Sequence, residues 1–429
     1  MTGRRHLRAL LLAAVLLPPV VGIVALAPAE PEARAAQSPA GGHGRSALVG
    51  APLRARAAGE TWQRLESPAG GAVTALDAIS PDEVWLATIR HTSGTAIYRR
   101  HQGAWEEMVY YDDRGIDDLQ MLSADDGWFV GYHWDSAGFT PSALAVRYHD
   151  GAFDAQVIMH DAWALTVEMV SPSDGWAAGG RGLGPDLTFA EGVIWRLENG
   201  QWRTDATLAG QAVVDIDMVG PGEGWAIGME GALLHHAAGA WTEVRPPAAV
   251  ALSGIDMIGT DEGWAGGGDG RWLHYHDGAW HVVETGLAGH VRRVRMVSRT
   301  EGWATGVDAN GLDGLVLRFR DGGWQRETAI PDGVGALYAL DLVGSSVGWA
   351  GGQESDDAID VPGVVLHYGS ELPTPTPSAT PAGTTEYDGL YTVFPDDDDQ
   401  TFWQGASQST LDQVWDDNED EIYAELLKG

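Results

Sequence analysis

Seven polar residues recur inside one short frame, apolar–x–Met/Leu/Ala–apolar. The x position reads Asp77, Gln120, Glu168, Asp217, Asp256, Arg295 and Asp341. Gathered around one axis, they would sum to five negative charges and one positive. Crowded carboxylates repel one another and can recruit a hard cation, so Asp77, Glu168, Asp217, Asp256 and Asp341 are candidate ligands for Ca²⁺. The same short acids have a second use: they cap backbone N–H groups or contact channel water. Both uses stay open at the level of sequence.

A second cation-like segment is Asp308-Ala-Asn310-Gly-Leu-Asp313. Its oxygens at positions 1, 3 and 6 resemble a calcium loop, but residue 319, where such a loop needs Glu, is Phe. Asp, Asn and Gly are also the ordinary residues of turns. There is no Cys, which excludes disulfides, thiolate nucleophiles and Cys-ligated metals. Arg292, Arg293 and Arg295 cluster on one predicted strand, where alternation sends neighbours to different faces. No Ser/His/Asp arrangement or nucleotide loop stands out. His235, His274 and His367 recur at one repeat position, which points to packing.

The elements that must position these residues are repeats. Val84-Trp85, Gly127-Trp128, Gly175-Trp176, Gly224-Trp225, Gly263-Trp264, Gly302-Trp303 and Gly348-Trp349 follow one another at 39–49 residues. A period of that length, rich in strand signals, marks a repeat array. Within residues 212–245, Val214, Ile216 and Met218 alternate with Asp215 and Asp217, a half-buried strand. A Gly-rich turn, Trp225-Ala-Ile-Gly228, Ala232–His236 and Trp241–Val244 complete four short strands, one propeller blade. The fourth strand has its own marker, as in Gly200-Gln-Trp202 and Gly239-Ala-Trp241. Six copies of it follow the Gly-Trp phrases; the seventh stands at the front, as Gly59-Glu-Thr-Trp62. The expected fold is therefore all-β: a seven-bladed β-propeller closed by an N-terminal strand.

Phrases such as Asp261-Glu-Gly-Trp-Ala-Gly-Gly-Gly268 and Trp272-Leu-His-Tyr-His-Asp-Gly-Ala-Trp280 resemble the seven-bladed propellers of the photosystem II assembly/stability factor type. Those belong to a wider sialidase-like, BNR-repeat-like group. The resemblance spans residues 59–369 and implies a scaffold that binds a protein partner. The group's Asp-box is shortened here to forms such as His276-Asp-Gly-Ala-Trp280. A sialidase-like enzyme would need three Arg, a Tyr nucleophile and acid catalysts, and no Arg recurs suitably. The expected function is an exported binding or assembly scaffold of the cell envelope, with a protein or glycan partner. The alternative is a glycan-acting hydrolase or lyase, which a deep polar pocket of converging acids and bases would favour.

The flanks are read by composition. Arg4, Arg5 and Arg8 precede an apolar run, and Ala33-Arg34-Ala35 offers a cleavage site, so residues 1–35 read as a signal peptide or an uncleaved anchor contacting the membrane. Residues 36–58 are a flexible spacer, 370–385 a Pro/Thr-rich linker, and 386–429 an acidic tail, partly helical or disordered. A net charge of −35 repels phosphate backbones and argues against nucleic acid. The protein is expected to be an extracytoplasmic monomer. The connection between second and third strands is long in three repeats and short around Trp225 and Trp264. Long connections share one propeller face, so Trp134, Phe139, Asp186, Phe189, Glu354 and Asp357 are the candidate partner-contacting residues. Tolerated insertion explains the lengths as well.

Overall fold

Thr61–Leu65 pairs antiparallel with Gly363–Gly369, joining the two ends of the repeat region in one sheet. The computed structural model describes residues 61–369 apart from 69, 91–93, 135–139, 185–187, 269 and 356–360. The signal segment, spacer, linker and acidic tail lie outside the described residues. Twenty-eight strands form seven four-stranded antiparallel sheets. Six are consecutive; the seventh takes its outer strand from Thr61–Leu65, as the missing Gly-x-Trp copy required. The result is a seven-bladed β-propeller. Its inner strands are Val73–Ser80, Arg114–Ser123, Ala162–Ser171, Val213–Gly220, Leu252–Gly259, His290–Ser298 and Val334–Val343, for blades 1 to 7.

The two Trp phrases meet across blade boundaries. Trp128 of blade 2 stands edge-on to Trp202 of blade 3 at 5.5 Å, and Trp225 to Trp280, Trp264 to Trp324 and Trp303 to Trp62 repeat the contact at 5.3, 5.8 and 5.4 Å. Edge-to-face packing suits the aromatic quadrupole and adds about 0.5–1.5 kcal/mol per pair beyond area burial. Each Gly-Trp tryptophan is buried, so the repeat supplies the inter-blade core.

Gly before Trp follows from the inner strand opposite. A Cβ on Gly127, Gly224, Gly263 or Gly302 would lie 2.2–2.3 Å from the sulfur of Met121, Met218, Met257 or Met296. Blade 1 reverses the sizes: Val84 stands there, and its strand partner is Ala78. A large residue on one strand is thus matched by a small one on the other in these blades.

The third and fourth strands of six blades join through two-residue turns: Gln102-Gly103, Asp150-Gly151, Asn199-Gly200, Ala238-Gly239, Asp277-Gly278 and Asp321-Gly322. Both residues of each turn have positive φ, the first near 50°. This is the type I′ hairpin, which favours Asn or Asp before Gly. Ala238 is the poorest fit, since Ala has no side chain to support the left-handed conformation. Ala238→Asn is expected to raise stability by about 1 kcal/mol, read from the urea unfolding midpoint.

Candidate functional site

The inner strands surround a central channel, and each carries a register shift near its start. Such a β-bulge lets two successive residues lean towards the axis. Below the bulges, the seven x residues Asp77, Gln120, Glu168, Asp217, Asp256, Arg295 and Asp341 all line one cavity of about 190 Å³. Asp118 and Arg293 line its upper part. The polar column read from sequence is therefore a real ring.

Five of the seven stitch their blade to the next. The backbone N–H of Met121 donates to Asp77 (2.7 Å), that of Met296 to Asp256 (2.7 Å) and that of Ala78 to Asp341 (2.8 Å). Met169 donates in the same way to Gln120, and Met257 to Asp217. In each pair the donor follows the next blade's own x residue. Arg295 has no acceptor and cannot do this. Among the described residues Glu168 takes no such N–H either.

Lack of water and mutual repulsion dominate the electrostatics. Burial, then the Asp256 charge, pushes Asp217 up to about 8. Burial, opposed by Arg295, leaves Asp256 at about 6. Burial and then Asp217 hold Glu168 well above the carboxylate range. Asp77 is also pushed well up, by burial and then by the Asp341 charge. Burial works against the Arg295 charge, but Asp256, Asp341, Asp215 and Asp217 outweigh it.

Arg293 reaches from blade 6 to Asp118 of blade 2 (3.3 Å) and Asp215 of blade 4 (3.9 Å). The Thr166 hydroxyl of blade 3 lies between them, 3.0 Å from Asp118 and 3.2 Å from Asp215. Four blades meet in this upper tier. Alternation separates Arg292 from its neighbour as expected: Arg293 and Arg295, two residues apart, both enter the channel, and Arg292 occupies the bulge between Val291 and Arg293. Sequence alternation misses the bulge because nothing in composition marks it.

The fit to Ca²⁺ is poor. Four of the five candidate carboxylates already accept a backbone N–H, and Arg295 supplies a cation 3.8 Å from both Asp256 and Asp341. Among the described residues no three His, Asp or Glu side chains converge to hold a metal. The Asp308–Asp313 segment is a turn whose oxygens are already engaged: Asn310 Oδ1 accepts from the N–H of Leu312 (2.7 Å) and of Asp313 (3.0 Å), its amide donates to Asp313, Ser355 donates to Asp313 (2.9 Å) and Arg326 pairs with Asp308 (3.5 Å).

A second repeated constellation escaped the sequence reading. Two residues before the repeat Trp stands an acid, and opposite the Trp an Arg or His packs against its ring. Glu83–Arg99 (2.6 Å), Asp126–Arg147 (3.0 Å), Asp174–Arg196 (3.3 Å) and Glu301–Arg318 (2.6 Å) are the Arg versions. In blades 4 and 5 the partners are His235 with Glu223 and His274 with Glu262, stacked on Trp225 and Trp264 at 4.3 and 4.0 Å. Blade 7 has Val347 in place of the acid, and burial then lowers His367 to about 4. The Asp/Glu-x-Trp spacing was visible in six repeats and would have exposed it. Its uniformity makes it packing rather than a site.

The loop-bearing face is uneven. The second strand runs to nine residues in blade 2 (Asp126–Trp134) and ten in blade 3 (Asp174–Leu183), against six in blades 4 and 5 (Glu223–Gly228, Glu262–Gly267). Trp134 and Phe189, expected to touch a partner, are instead 4% and 5% exposed and pack with Tyr132, Trp163 and Ala212. They support the raised rim because large aromatics at a strand end gain more from burial than from display. Glu354 is partly exposed and paired with Arg64. Phe139, Asp186 and Asp357 lie outside the described residues.

No family model matches the chain, and no curated protein does. Solved propellers do. YCF48 bound to a D1 peptide is 14% identical, with a TM-score of 0.53 over 72% of this chain and 97% of that one. YCF48 from Cyanidioschyzon merolae is 18% identical, with a TM-score of 0.52 over 72% of this chain and 99% of that one. The WD40 beta propeller domain of Doa1 is 12% identical, with a TM-score of 0.51 over 73% of this chain and 97% of that one. At these identities the likeness carries the fold alone.

Proposed function

We propose that this propeller is a binding scaffold, exported to the cell envelope, that holds a polypeptide segment of a partner on its uneven face. The observation carrying this reading is the contrast between blades. Strands are lengthened and connections extended in blades 2 and 3, while blades 4 and 5 keep the minimum. The connection from Glu354 to Gly363 extends blade 7 likewise. Selective growth on one face is where recognition is added to a repeat fold. The kind of partner is suggested by the solved propeller bound to a D1 peptide. Export rests on the basic and apolar N-terminal segment.

The alternative is a glycan-acting, sialidase-like enzyme working in the channel. Acids and arginines do converge there, but most are engaged in joining blades. The test immobilises the protein beside a variant with the three long connections shortened. Polypeptides captured from envelope fractions by the first and lost with the second, at equal thermal stability, support the scaffold. Equal capture by both overturns it, and release of reducing sugar from envelope glycans supports the enzyme instead.

A further inference from the structure

One buried hydrogen bond joins the bulge in the inner strand of blade 2 to the aromatic cluster at the ends of the long strands. The bulge of blade 2 falls between Ile116 and Asp118 and turns Asp117 towards blade 3. Its Oδ2 accepts the indole N–H of Trp163 at 2.7 Å. Trp163 is fully buried, 3.9 Å from Tyr132 and 6.1 Å from Trp134, in the cluster that includes Phe189. These aromatics sit where the long second strands of blades 2 and 3 end.

We propose that Asp117 and Trp163 form a proton-responsive clamp, in which the charge on one carboxyl sets how firmly the aromatic cluster of the rim is held. Burial first, and the Asp118 charge later, push Asp117 up to about 7, while the Trp163 N–H and Arg293 pull it down. An ionised carboxylate accepts an N–H more strongly than a neutral acid does. The clamp is therefore tighter above neutral pH and slacker below it. Global stability has the opposite sign: the folded value lies above the ordinary 3.8, so stability is greatest in acid and falls as pH rises towards 7.

The surroundings leave few competing charges. Asp118, on the same strand, is occupied by Thr166, the Val167 N–H (3.1 Å) and Arg293. Blade 1 brings the Thr74 hydroxyl, which donates to the Ile116 carbonyl (2.7 Å). On the next strand of blade 2, His133 pairs with Asp113 (3.1 Å).

The test is a pH series of the indole N–H resonances of the ¹⁵N-labelled full chain. The Trp163 signal is assigned by its loss in Trp163→Phe. It is expected to move as one proton titrates near pH 7, to stop moving in Asp117→Asn, and to titrate at lower pH in Asp118→Asn. A Trp163 signal indifferent to pH, or one that titrates unchanged in Asp117→Asn, overturns the proposal. Faster amide exchange of Tyr132–Trp134 at pH 6 than at pH 8 (after correction for intrinsic rates), absent in Asp117→Asn, is the second readout. Any bearing on partner binding rests on the scaffold reading. Both measurements use free protein, so failure of the clamp and failure of the scaffold are separate results.

Discussion

Gly224→Val should cost about 3 kcal/mol or more, and Met218→Ala should restore much of that loss in the same chain. A Cβ at residue 224 would lie 2.3 Å from the Met218 sulfur and 2.8 Å from the Asp217 carbonyl oxygen. Overpacking of this kind typically costs about 1–3 kcal/mol, and a branched side chain against sulfur and backbone belongs at the upper end. Met218→Ala alone removes a buried side chain, which costs about 2–5 kcal/mol. The double variant rebuilds the Ala78–Val84 pairing that blade 1 uses. Urea unfolding of the four proteins should therefore give a coupling of at least about 2 kcal/mol. Additive losses would show that the size match is incidental. Gly179→Ala provides the contrast, since its Cβ would meet the Trp163 carbonyl oxygen at 1.8 Å. A backbone oxygen that close is the dominant clash, and no side-chain substitution relieves it.

Acidification from pH 8 to pH 5 should stabilise the protein, against the habit of carboxylate-rich chains held by ion pairs. Asp77, Glu168, Asp217 and Asp256 all bind protons more tightly when folded. Between the ordinary carboxylate value and pH 8 the folded state carries more protons than the unfolded one. Stability then falls as pH rises through about 6 for Asp256 and about 8 for Asp217. Asp217→Asn mimics the protonated acid and can still accept the Met257 N–H. At pH 8 it should raise Tm by about 2 °C or more, and the gain should vanish at pH 5. Asp150→Asn, in an exposed turn that suits Asn, is the control for the general acidity of the chain. Equal pH profiles for Asp217→Asn and wild type would refute a proton-holding ring.

Much of this architecture could be read from the chain. The Gly-Trp and Gly-x-Trp phrases named residues that touch across blade boundaries. Their unequal counts located the closing strand at Trp62. The x column identified the ring because its frame repeats seven times. Other features depend on geometry that no repeat advertises. A bulge takes Asp117 and Arg292 out of strand pairing, and long arginine side chains let blade 6 reach blades 2 and 4. Trp134 and Phe189 looked like contact residues because they flank loops. Whether an aromatic beside a loop is displayed or buried is decided by neighbours distant in sequence, here Trp163 and Ala212.

The closing strand also decides where a pull on the chain would act. Thr61 is opposite Gly369, so chain enters and leaves the propeller at the same end of one strand pair. That end belongs to the face of the type I′ turns, opposite the face of the long connections. A load applied between the two termini would peel the five facing residue pairs from Thr61–Gly369 inwards, one after another, instead of shearing them together. The ring is closed against thermal opening and yet has a defined place at which a pull would begin to undo it.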